Sequence, residues 1–123
     1  MLSLPPSVRI FMSREPVDMR KGFDSLAQLV RSHLAGDPLS GHLFVFRSKR
    51  GDRLKLLYWD SGGLAIWYKR LEVGVFSIPT VGTSIGEHGL EIKAGDFALL
   101  LEGIDLSNAK RQKRYQRPEA APA

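Results

Sequence analysis

Cysteine is absent from the 123 residues. Disulfides and thiolate metal sites are therefore excluded, and a packed core has to carry the fold. No apolar run approaches the ~20 residues of a membrane-spanning helix. The opening Met1-Leu2-Ser3-Leu4-Pro5-Pro6 lacks the basic start and long apolar stretch of a secretory signal. A cytoplasmic protein without membrane association is expected. Histidine is scarce, and His33, His42 and His88 form no i, i+4 pair, so no metal site is expected. Glycine-rich phosphate loops are missing too: Gly82-Thr83-Ser84-Ile85-Gly86 has the wrong spacing and no lysine. A two-metal nuclease needs converging carboxylates. Of the candidates Asp52, Asp60 and Glu91, the first two are accounted for by turns. No catalytic residue and no cofactor are expected.

Positive charge is what the chain does have. There are 18 Lys and Arg against 13 Asp and Glu, a net charge of +5. Most of the excess follows Leu106, where Lys110, Arg111, Lys113, Arg114 and Arg117 face only Glu119. This asymmetry suggests an anionic partner, nucleic acid first, although it also serves solubility. The length fits one domain. The expected organisation is a loose N-terminus over 1–7, a single α+β domain over 8–106, and a basic, disordered tail over 107–123.

Val8 to Met12 reads as a short strand. Asp18 then suits a helix N-cap, and Phe23, Leu26, Ala27, Val30 and Leu34 recur at helical spacing until Gly36-Asp37-Pro38. Strands are expected over 42–47, 53–59 and 64–69, with turns at 48–52 and 60–63. Val75 to Ile78 is a possible further strand, and 82–89 a glycine-rich loop or hairpin tip. Leu90 to Lys93 reads as a strand. Asp96 to Glu102 reads as a short helix burying Phe97, Leu100 and Leu101, capped by Gly103. The fold class expected is α+β: a small antiparallel meander sheet with one long N-terminal helix and one short C-terminal helix packed on it.

A tight turn at 60–63 pairs Trp59 with Leu64, Lys55 with Tyr68 and Arg53 with Arg70. A five-residue loop at 48–52 pairs Arg47 with Arg53, Val45 with Lys55 and Leu43 with Leu57. One face then carries Phe44, Phe46, Leu54, Leu56, Tyr58 and Trp67. The other is apolar around Leu43, Leu57, Trp59, Leu64 and Ile66, and at its far end gathers Arg47, Arg53, Lys55, Tyr68 and Arg70. Facing cations repel, and such a conflict marks an anion-binding face unless Glu72 or Asp52 neutralises it. Arg20 and Lys21, set in a first helical turn, conflict with the macrodipole in the same way. The nucleic-acid-binding candidates are therefore Arg20, Lys21, Arg47, Lys49, Arg50, Arg53, Lys55, Lys69, Arg70, Lys110, Arg111, Lys113 and Arg114.

Asp18-Met19-Arg20-Lys21-Gly22-Phe23-Asp24-Ser25-Leu26 and Ser40-Gly41-His42-Leu43-Phe44-Val45-Phe46 carry a family resemblance. It continues through Arg50-Gly51-Asp52-Arg53-Leu54-Lys55, Tyr58-Trp59-Asp60, Gly63-Leu64, Tyr68-Lys69-Arg70-Leu71-Glu72 and Leu99-Leu100-Leu101-Glu102-Gly103-Ile104-Asp105. Together these blocks resemble the TnpB-type, Orf-two-like accessory protein of the IS sixty-six family of bacterial insertion sequences. Phe76-Ser77-Ile78-Pro79 departs from the aromatic-proline step expected there. The resemblance implies a non-catalytic role in transposition beside a separate transposase, with element-end DNA and that transposase as partners. The alternative is a protein-protein adaptor that binds the transposase without touching DNA, suggested by the apolar patch at Leu57, Trp59, Leu64 and Ile66.

Overall fold

The computed structural model describes residues 5–77, 82–105 and 110–111. Strand β1 (Ile10–Ser13) is followed by helix α1 (Phe23–His33), then by β2 (Leu43–Arg47), β3 (Arg53–Asp60) and β4 (Gly63–Arg70). The chain continues through β5 (Thr83–Ile85), β6 (Gly89–Ile92) and α2 (Ala94–Leu101) to a two-residue pairing of β7 (Ile104–Asp105) with β8 (Lys110–Arg111). The six larger strands form one sheet in the order β4-β3-β2-β1-β6-β5.

This sheet corrects the expected meander. β1 runs parallel to β2, with Ile10 beside Leu43 and Met12 beside Val45, while the other neighbours are antiparallel. Parallel neighbours cannot be joined by a tight turn and need a long crossover. Residues 14–42, which include α1, supply it. The glycine-rich segment is a hairpin of β5 and β6, and it places β6 on the other side of β1. No strand occupies 75–77; the rest of the possible strand there, Ile78, lies outside the described residues.

Neither helix is long. α1 has 11 residues and α2 has 8. α1 begins at Phe23 with Gly22 at its N-cap and no side-chain cap, so Asp18 does not start it. Asp18 instead folds a turn of its own, its carbonyl accepting from Lys21 N–H and its carboxylate from Arg20 N–H. The Asx-turn chemistry that makes aspartate a good cap also lets it close a free-standing turn.

Each sheet face has its own cover. Leu26, Ala27, Val30 and Leu34 of the α1 segment pack on Phe44, Phe46 and Leu57. On the opposite face Phe97, Leu100 and Leu101 of α2 join Ile10, Met12, Leu43, Val45, Leu54, Leu56, Leu90 and Ile92. Phe76 fills this second core from an irregular segment, its N–H donating to Gly51 O at 2.7 Å. Both faces of β2 are thus buried, which explains its unbroken run of Leu, Phe, Val and Phe.

Phe23 continues the apolar stripe of α1 in sequence but is 50% exposed. It is the first residue of α1 and does not join the buried cluster under that helix. Phe23→Ala should therefore cost less than about 1 kcal/mol, far below the ~3–5 kcal/mol of a buried aromatic. Thermal melts of the two proteins would check this, and a fall of 10 °C would place Phe23 back in the core.

Candidate nucleic-acid interface

The turn between β2 and β3 builds the site. Ser48, buried, accepts from Gly51 N–H and Arg53 N–H through its Oγ and lies 3.3 Å from Asp52 Oδ1. Gly51 adopts φ of +83°, and a Cβ there would meet the Arg47 guanidinium at 2.7 Å. The positive φ alone would strain any residue with a Cβ here. The result is a hydrogen-bonded tip on which Lys49 and Arg50 are exposed to solvent.

Beside the tip runs the segment leading to α1. Val17 N–H donates to Arg47 O at 2.9 Å, and Val17 forms an isolated parallel bridge with Ser48. An open cleft of about 440 Å³ lies between them, walled by Pro16 to Met19 on one side and by Lys49, Arg50, Asp52 and Arg53 on the other. Arg53 also borders a shallower hollow of about 260 Å³ with Tyr68 and Arg70. Arg53 and Arg70 face each other across the β3–β4 ladder. The Arg53 guanidinium donates to Tyr68 Oη at 3.3 Å.

Three candidate residues are committed to the interior instead. The β2–β3 register pairs Arg47 with Leu54 and Val45 with Leu56, one step from the expected alignment. The slip moves Arg47 to the α2 face, where its Nη1 donates to Phe76 O and its Nε is buried with no partner among the described residues. Burial lowers its pKa from the ordinary arginine value. Phe44 and Phe46 move to the α1 face by the same slip. Lys55, only 8% exposed, donates from Nζ to Met19 O at 2.7 Å and Lys21 O at 2.8 Å. The same ammonium lies 4.8 Å from the Tyr68 ring centroid. On the far face Lys69 Nζ donates to Leu101 O at 2.9 Å, satisfying a carbonyl at the C-terminal end of α2.

Two further candidates carry carboxylate partners. Arg20 forks onto Asp18, whose carboxyl falls to about 2 through the hydrogen bonds from Arg20. Arg70 pairs with Glu72 at 2.9 Å, and its pKa rises through that bond. Lys21, Lys49 and Arg50 make no side-chain ion pair among the described residues. Lys110 and Arg111 enter the β7–β8 pairing through their backbone. Lys113 and Arg114 lie outside the described residues.

Sequence reasoning missed the structural uses of lysine, because backbone carbonyl partners leave no sequence signal. It also missed the Pro16–Met19 wall of the cleft, placed by a single bridge across remote segments. The apolar patch that suggested an adaptor is covered only in part by the chain itself, and its Trp59 stays 37% exposed. Leu57 is buried, and Leu64 and Ile66 pack against the α1 cluster.

No group of three His, Asp or Glu side chains suitable for a metal occurs among the described residues. No helix there is long and apolar enough to cross a membrane. The geometry defines a small mixed α/β module with an open cleft that carries Lys49, Arg50 and Arg53 beside Asp18 and Asp52. Sequence comparison gives its kinship: the profile of the family described as "IS66 Orf2 like protein" matches residues 8–111. The chain belongs to that family and is an insertion-sequence-associated protein. It is 41% identical over 111 residues to the uncharacterized protein y4jC of Sinorhizobium fredii (strain NBRC 101917 / NGR234), covering 90% of this chain and 91% of that one. To the uncharacterized protein y4hO of the same strain it is 39% identical over 106 residues, covering 85% and 88%. No solved structure matches.

Proposed function

We propose that the protein is a non-catalytic accessory factor in transposition that grips DNA backbone at the β2–β3 tip and helps a separate transposase at element ends. The observation carrying this reading is the hydrogen-bonded tip itself. Ser48 and Gly51 hold Lys49 and Arg50 outward beside Arg53, and among the described residues no carboxylate pairs with the first two. Free cations on a fixed scaffold suit phosphate contacts, which position a protein on DNA without reading sequence. Lys21 lies within reach of the same end, since its carbonyl binds the Lys55 strut. Tyr68, 47% exposed between Arg53 and Arg70, adds an aromatic surface on which an unpaired base could stack.

The test is fluorescence anisotropy on element-end duplex and on unrelated duplex, with and without the transposase. Binding by the protein alone is the expected result, with its affinity falling steeply as salt rises. Binding seen only when the transposase is present would overturn direct DNA contact and favour the adaptor role.

A further inference from the structure

The outer edge of β4 is open, and its hydrogen-bond phase can be worked out. At one end the two-residue turn Ser61-Gly62 sets Asp60 opposite Gly63. At the other, Leu71 N–H donates to Asp52 O at 2.8 Å. Antiparallel ladders alternate strictly between residues that bond inward and residues that bond outward. Both anchors give the same phase: residues 63, 65, 67, 69 and 71 turn their backbone groups toward β3. Leu64, Ile66, Tyr68 and Arg70 turn theirs away from the sheet. Among the described residues nothing pairs with those outward groups.

An open strand of eight residues is a template for another strand unless something blunts it. Here the usual devices are missing over most of its length. Gly63 to Tyr68 holds no proline and no charge. The charges lie beyond it and differ in sign, with Asp60 just before the turn and Lys69 and Arg70 at the far end.

We infer that β4 pairs with β4 of a second copy of this chain, antiparallel about Ile66, to join two sheets into one. This inference is independent of DNA binding. A twofold axis through facing Ile66 residues places Leu64 of one copy opposite Tyr68 of the other, and Ala65 opposite Trp67. The outward phase makes Ile66–Ile66 and both Leu64–Tyr68 pairs the hydrogen-bonded ones, so the free groups of all three residues are used. Charge selects this direction. Antiparallel pairing brings the Arg70–Glu72 ion pair of each copy to the Asp60-Ser61-Gly62 turn of the other and keeps like cations apart, whereas parallel in-register pairing would stack Lys69 on Lys69 and Arg70 on Arg70. The axis stands perpendicular to the sheet, so Leu64 and Ile66 of both copies stay on the α1 face and extend its apolar cluster.

Sedimentation equilibrium of the full chain over a wide concentration range tests the inference. The mass should rise from 13.7 kDa toward twice that value as concentration increases. Ile66→Pro removes an outward N–H and leaves the bonds to β3 in place, so it should weaken self-association at least tenfold. Should that variant fail to fold, amide exchange on the wild type decides instead. Ile66 and Tyr68 amides should slow as concentration rises, while Ala65 and Trp67 stay protected throughout. A mass fixed at 13.7 kDa, concentration-independent exchange at Ile66, or a dimer that folded Ile66→Pro leaves intact would each overturn it.

Discussion

Lys55→Met should lower the melting temperature by about 10 °C or more, although a lysine on a strand is usually an inconsequential surface residue. The buried ammonium braces the chain just before α1 by bonding two carbonyls, of Met19 and of Lys21. Methionine keeps most of the stem volume but donates nothing. Each charge-assisted bond contributes ~1.5–3 kcal/mol, so losing both costs about 3 kcal/mol even if water reaches one carbonyl. In a domain of this size 1 kcal/mol corresponds to roughly 3–5 °C. A melting temperature within 2 °C of wild type would show that Lys55 does not hold the segment. Lys55→Arg is the companion measurement: it keeps the charge but not the compact three-donor head, and should recover only part of the loss.

The second large effect concerns affinity. Replacing Lys49, Arg50 and Arg53 together by glutamine should weaken binding to duplex DNA roughly a hundredfold at low salt, taking about 1 kcal/mol per phosphate contact. The log–log salt slope should become shallower by about 0.9 for each contact removed. Stability should hold, since Ser48 and Gly51 shape the tip and neither is altered. Arg70 is left in place because its guanidinium already serves Glu72. Wild-type affinity and slope in the folded triple variant would falsify the tip as the contact surface.

The parts of the fold that could be read from sequence are those with local chemistry. Asp60-Ser61-Gly62-Gly63 dictates a two-residue turn, and from it the whole β3–β4 register follows, including Arg53 opposite Arg70. The buried stripe of α2 and the left-handed Gly103 behind it were equally legible. The β1–β2 pairing was not, since parallel neighbours separated by a helix share no turn that could announce them. Nor was the register of β2. Its core positions are apolar on both faces, so no alternation distinguishes Phe44 from Val45 as the residue facing α1. The loop length then rested on how Ser48 bonds, with its N–H closing onto Arg53 O. That single step decided whether Arg47 joined the cationic surface or left it. Much of the candidate site was therefore visible as composition, but its division into structural and free cations depends on carbonyls supplied by distant segments.

The position of β1 has a consequence for synthesis. Its two sheet neighbours are β2 and β6, and β6 ends at Ile92. β3 and β4 can zip onto β2 as they emerge, since each follows its neighbour closely in the chain. β1 leaves the ribosome first yet keeps one side unpaired until some eighty residues later in translation. Until then the eventual middle of the sheet is an edge, carrying Ile10 and Met12 with nothing beside them on that flank. A nascent or truncated chain that stops before residue 89 holds β1 and the β2–β4 ribbon but cannot close its centre.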